Sequence, residues 1–142
     1  RGLSLDEMNN RMNKQSGILG IFGESSDFRD LDAARRSGNE KAQLAYEMFC
    51  YRIQLYIGAY IAAMNGVDAI AFTGGIGENS VGVKKHICES LSYFGIELDE
   101  EKNAQRLPGN VELSTKDSKV KIYKIETAEE LVIARDTYRL TK

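Results

Sequence analysis

Histidine and proline each occur once in this chain, cysteine occurs twice, and no apolar run reaches the length of a membrane span or a signal-peptide core. Each scarcity closes off a class of protein. The two cysteines, Cys50 and Cys88, lack CxxC spacing and fall in helical patterns, which excludes a zinc ribbon or a disulfide framework and leaves them as buried thiols. The lone His86 lies inside a helical pattern away from any motif, a packing or surface position. Without a targeting or spanning segment, the default location is a reducing cytoplasm, with no membrane partner. Lys and Arg number 19 against 21 Asp and Glu, so the basic excess of a nucleic-acid binder is missing as well. What remains is an ordinary globular composition, 42% hydrophobic and 28% charged, over 142 residues, enough for a single unit spanning 1–142. The opening Arg1-Gly2-Leu3-Ser4, with no initiator Met, reads as a piece of something longer.

The chain's own patterns alternate helices with strands. Ser4 and Glu7 stand at capping-box spacing and predict a helix from Leu5 to about Lys14. Residues 17–23 carry a glycine every third position, which predicts a close-packed connector or hinge rather than a helix. Ser25-Ser26-Asp27-Phe28-Arg29-Asp30 opens a capped turn. Two readings of Arg29 stand there: surface neutralisation by Asp27 and Asp30, or a guanidinium that stacks on or hydrogen-bonds a ligand. Apolar residues then recur at helical period over 39–64, from Ala42 to Met64, and predict the main core helix. Asn65-Gly66 should end it in a left-handed cap. Its tyrosines, Tyr51, Tyr56 and Tyr60, suit core or interface packing.

The segment that organises the rest is Ala69-Ile70-Ala71-Phe72-Thr73-Gly74-Gly75-Ile76-Gly77-Glu78-Asn79-Ser80. Four successive apolar residues predict a strand covered on both faces, and the glycines after it read as a ligand loop leading into a helix over 81–93. The N–H groups at such a helix start favour anions. A P-loop needs lysine after its last glycine, and Glu78 stands there instead, so bare phosphate fits poorly. Ribose or adenine fits better, with the Glu78 carboxylate free to accept from ribose hydroxyls. A dinucleotide fingerprint is two-thirds present, with Ser80 in the third glycine's place and Asp99 where a ribose-binding acid would stand. The plain structural reading is a tight strand-to-helix turn with Asn79 or Ser80 as N-cap. Downstream, Ile96-Glu97-Leu98 predicts a short strand, Asp99 a cap, 111–113 an edge strand, and 120–125 a strand with one wet face. Thr127 and Glu130 form a second capping box opening a final helix.

Several motifs in register carry a resemblance. Tyr56-Ile57-Gly58-Ala59-Tyr60, Met64-Asn65-Gly66-Val67-Asp68-Ala69, Phe72-Thr73-Gly74-Gly75-Ile76-Gly77-Glu78-Asn79-Ser80 and Glu129-Glu130-Leu131-Val132-Ile133-Ala134-Arg135 together resemble the C-terminal part of the acetate kinase family, across essentially the whole chain. The resemblance implies an α/β fold: the C-terminal portion of an actin-like ATPase domain, as in sugar kinases, Hsc70 and actin, incomplete without the preceding part. It also implies reversible transfer of the γ-phosphoryl of ATP to acetate, giving acetyl phosphate and ADP with Mg²⁺, by a homodimer. On that resemblance Asp27, Phe28 and Arg29 would flank the adenosine, and Gly75, Ile76, Gly77, Glu78 and Asn79 would form the adenosine-binding segment. Glu129 would be the metal-site glutamate.

The family's catalytic arginines, histidines and aspartate belong to the part before this chain, so no catalytic residue is expected here and the chain alone should be inactive. Two departures stand out. Glu126-Thr127-Ala128 replaces a common Pro-Thr-Asn, and Lys84 replaces a common arginine at what reads as a surface or interface contact. The rival readings are a nicotinamide-dinucleotide domain, resting on Asp99, and an assembly module, resting on the long helix and its tyrosines.

Overall fold

A computed structural model describes residues 2–142. The chain divides into two compact units, Arg1–Tyr60 and Ile61–Lys142. The first is helical. Helix α1 (Leu5–Lys14) starts on the expected capping box: the Ser4 hydroxyl accepts from the Glu7 N–H at 3.3 Å, and the Glu7 carboxylate accepts from the Ser4 N–H at 2.8 Å. Helix α2 (Gly17–Phe22) occupies the stretch expected to be a non-helical connector. Two of the three glycines there sit at its ends, Gly17 first and Gly23 as the left-handed cap, so only Gly20 imposes an entropic cost on the helix interior. Helices α3 (Phe28–Arg36) and α4 (Glu40–Met64) come next. Leu31, Ala42, Ala45, Tyr46, Cys50 and Phe22 make the buried core of this unit. The apolar repeat of α4 is only partly buried, since Met48, Tyr56 and Tyr60 are exposed. Asn65, with φ 57°, ends α4 in the left-handed conformation as its sequence predicts.

In the second unit, strand β1 (Ala69–Phe72) leads through Thr73 into α5 (Gly74–Asn79) and α6 (Val81–Glu89), then a 3-10 turn (Ser92–Phe94) and α7 (Glu100–Ala104). Strands β2 (Val111–Glu112) and β3 (Lys121–Lys124) and the final helix α8 (Glu129–Thr141) complete the chain. The sheet order is β1-β3-β2, with β1 parallel to β3, pairing Ile70 with Ile122, and β2 antiparallel to it. β1 lies at the sheet edge, and Ala69 and Ala71, which share one of its faces, are exposed while Phe72 on the other is buried, which corrects the expectation of a strand covered on both faces. β3 behaves as predicted: Ile122 is fully buried and Lys121 is exposed. Residues 96–98 contribute isolated bridges, Ile96 to Val120 and Leu98 to Ser114, in place of a strand. The core is built by Val83, Ile87, Cys88 and Leu91 from α6 and its end, against Ile96, Leu113, Val120 and Ile122.

Candidate functional site

The glycine segment is helical rather than a loop, and its three glycines have separable reasons. Gly74 opens α5 with φ +70°, a conformation that disfavours any side chain. A Cβ on Gly77 would stand 3.0 Å from the backbone carbonyl carbon of Phe72, so the turn of α5 lies directly on the end of β1. Gly75 answers to neither demand: its φ is ordinary, it is exposed, and a Cβ there would meet nothing within 4 Å. The backbone is therefore bare at 75 without a packing reason. The Asn79 side-chain amide donates to the Gly75 carbonyl at 2.9 Å, fixing that peptide from behind. Ser80 then N-caps α6, its hydroxyl accepting from the Val83 N–H at 3.3 Å.

Glu78 reaches across the unit. One carboxylate oxygen accepts from the Thr127 N–H at 2.9 Å and from the Thr127 hydroxyl at 2.8 Å, and these donors hold the Glu78 carboxyl below its ordinary pKa, the backbone N–H contributing most. Thr127 is thus drawn away from the capping box expected of it: α8 begins on Ala128 with no side-chain cap. A neighbouring anchor works beside it. Glu126 accepts from the Gly109 N–H at 2.7 Å and from the Lys124 ammonium at 3.2 Å, and its own N–H donates to Asn110 at 3.0 Å. These bonds pin residues 126 and 127, so the exposed Glu129, first residue of α8, projects from a fixed start. An acid in a helix's first turn also complements its dipole.

Lys84 reads from the sequence as a surface or interface contact, and the structure corrects the surface half of that reading. It is 2% exposed, and its ammonium donates to the Gly77 carbonyl at 2.9 Å and to the Glu78 carbonyl at 3.1 Å. Burial, then the nearby positive charges of Lys124 and Arg106, push its pKa down to about 8. A signal was present in the sequence: Lys84 shares a helical stripe with Cys88 and Leu91. The two thiols are buried as expected, and burial pushes Cys50 up to about 11 and Cys88 up to about 12.

In the first unit, Asp27 N-caps α3 by accepting from the Arg29 N–H at 2.8 Å, and the Arg29 guanidinium closes on the same carboxylate at 2.6 Å. That pairing holds the Asp27 carboxyl down at about 2, the Arg29 side chain being the largest cause. The Arg29 side chain is exposed and paired with Asp27. Phe28, half-buried, packs on Phe49 and Tyr46 of α4, with ring centres 5.0 and 5.9 Å away. Asp99, the residue on which a dinucleotide reading rests, caps α7 by accepting from the Lys102 N–H at 3.0 Å. Among the described residues no group of three His, Cys, Asp or Glu is placed to hold a metal, and no helix is long and apolar enough to cross a membrane.

Comparison with known proteins agrees with the sequence motifs. The chain is 58% identical over 142 residues to an acetate kinase of Fusobacterium nucleatum, covering 100% of this chain and 36% of that one. It is 53% identical over 141 residues to an acetate kinase of Heliobacterium modesticaldum, covering 99% and 35%. The acetate kinase of Porphyromonas gingivalis superposes with a TM-score of 0.87 at 41% identity, over 99% of this chain and 35% of that one. The chain thus spans about a third of the length of the relatives it matches, and the expected α/β fold, part of an actin-like ATPase domain, is borne out. The nicotinamide-dinucleotide and pure assembly readings find no support. The family model of the Acetokinase family matches residues 1–135, and the chain belongs to that family.

Proposed function

We propose that this chain forms the adenosine side of an acetate kinase, an enzyme moving the γ-phosphoryl of ATP reversibly to acetate to give acetyl phosphate and ADP. The observation that carries the reading is Gly75, the one glycine of the α5 segment that neither backbone angle nor packing requires. A flat ligand approaches a bare backbone more closely than any side chain would allow. Residues 75–79 take the adenosine in this reading, with Ile76 and Gly77 beside the bare peptide. Asp27, Phe28 and Arg29 are further candidates for contact with adenosine in this reading.

Phosphoryl transfer asks a protein chiefly for positioning and for positive charge around the moving group. The residues of this chain answer the first demand and leave the second to the remainder of the full-length enzyme, so the 142 residues alone are inactive. For Mg²⁺, Glu129 offers one open carboxylate rather than a cage. That fits an ion usually held by one or two carboxylates plus substrate phosphates and water. When bound, Mg²⁺ neutralises charge on the phosphate oxygens. The partners are acetate and acetyl phosphate, and a second copy of the chain in a homodimer, to which the exposed Met48, Tyr56 and Tyr60 of α4 are suited. The setting is the cytoplasm.

The test is Gly75→Ala, titrated with ADP by calorimetry beside the wild type. An added methyl meets open space, so α5 gains about 0.5–1 kcal/mol of stability from the lost backbone freedom. ADP affinity falls tenfold or more. A variant that binds ADP as the wild type does removes the adenosine role of this segment.

A further inference from the structure

Lys84 is unlike every other cation described in the second unit. Its side chain is sealed, no ion pair joins it to a carboxylate among the described residues, and its two acceptors, at 2.9 and 3.1 Å, are the carbonyls of Gly77 and Glu78 at the end of α5. Lys124, also buried, pairs with Glu126 at 3.2 Å as well as donating to the Leu107 carbonyl at 2.7 Å. Burying an ammonium with only carbonyls to meet it is costly. A short helix gains from it in return, because the last carbonyls of a helix have no partners of their own and carry the negative end of its dipole. With six residues, α5 has too few internal bonds to hold its shape unaided.

We propose that Lys84 is a positioning residue for the nucleotide: by clamping the Gly77 and Glu78 carbonyls it fixes how α5 presents the bare backbone at 75–77. This rests on the reading of residues 75–79 as the adenosine segment. Three supports hold α5: Gly77 lies on Phe72, Glu78 is tied to Thr127, and Lys84 closes the carbonyl end. Of the three, only the last depends on a proton that leaves near neutral pH. The groups that face Lys84 are Lys124 on β3, Arg106 after α7, Cys88 on its own helix and Glu78 on α5. Cys88, pushed up to about 12, stays a thiol well past the pKa of about 8 to which Lys84 is lowered. As pH rises through 8 the clamp loses its charge and its third donor, and the hold on α5 weakens.

Hydrogen exchange of the 142-residue chain, read by NMR, tests the clamp apart from the ligand. In Lys84→Met, which keeps length and apolar stem, the Ser80 amide, bonded to the Ile76 carbonyl at 2.9 Å, exchanges at least tenfold faster, while the Lys121 and Ile125 amides of the sheet stay within twofold. Lys84→Arg restores the Ser80 rate to within threefold. Unchanged exchange at Ser80, or an equal loss across the sheet, overturns the proposal, the second outcome marking Lys84 as plain core. If Lys84→Met does not fold, wild-type exchange decides: corrected for the intrinsic rate, Ser80 speeds up relative to Lys121 as pH passes through 8, and a flat ratio overturns the proposal. ADP titration separates the two levels. Wild type that fails to bind ADP defeats the adenosine reading while the exchange result stands by itself. ADP binding by Lys84→Met at wild-type affinity defeats the positioning role.

Discussion

Two six-residue helices, α2 in the first unit and α5 in the second, are built on nearly one template. Gly17 and Gly74 open them with φ +62° and +70°, and three residues later a Cβ on Gly20 or Gly77 would stand 3.0 Å from backbone behind it, that of Gln15 in one case and of Phe72 in the other. The second position separates them: Ile18 in α2, Gly75 in α5. Since α2 forms the same turn with a branched side chain at that place, the fold does not need glycine at 75. The extra glycine is a departure from the template, and departures from local preference collect at sites of function.

The largest effect should come from the close approaches. Gly77→Ala pushes on Phe72, held in a strand, and should cost about 1–3 kcal/mol by overpacking. Gly20→Ala pushes on Gln15, an exposed cap that can give, and should cost less than about 1 kcal/mol; paired urea melts measure both. Equal costs would mean that strand pairing does not stiffen the floor of α5. Next come the opening residues: Gly17→Ala and Gly74→Ala should each lose about 1–2 kcal/mol, because both force an alanine into left-handed backbone. A clear difference in the same melts would break the shared template.

The smallest effect concerns the carboxylate associated with each unit's candidate segment. Asp27 is satisfied by its neighbour Arg29, whereas Glu78 is satisfied by Thr127, 49 residues away. Thr127→Val removes the hydroxyl and leaves the N–H, so the Glu78 pKa should rise part of the way to its ordinary value, read by carboxyl carbon shifts. A carboxyl held low in the folded state adds stability above its unfolded pKa, and that contribution fades as pH falls through the folded value. The valine variant should therefore lose stability near neutral pH and show a shallower acid dependence.

Local chemistry was readable. Ser4 and Asp99 cap the helices they were expected to cap, Ser80 is the cap of the Asn79 and Ser80 pair, the capped turn over 25–30 closes on Asp27, and Asn65 turns where Asn-Gly predicts, because these bonds span only two or three residues. The family was readable too, since several motifs fell in register. What escaped were outcomes decided by distant partners. Thr127 has ideal capping-box spacing, yet Glu78 takes it. Glycine at every third position argued against α2, and the glycines at 74–77 read as a ligand loop, yet both stretches are helical, a tertiary outcome that overrides local propensity. Lys84 reads as a surface or interface contact until its carbonyl partners on α5 are seen. β1 looked doubly covered because apolar sequence records what a strand prefers to meet, not which neighbours this chain supplies.

The parallel pairing of β1 with β3 also sets an order of assembly. Ile70 meets Ile122 only after the intervening chain has closed on itself, and a loop of that length carries an entropic penalty that local helices such as α6 never face. A chain caught with its helices formed and its strands unpaired would carry every residue of the glycine segment, but neither the Phe72 floor in its strand nor the Glu78 tie to Thr127. The surface proposed for the nucleotide should thus be a late product of folding, and its appearance a reporter of the completed sheet.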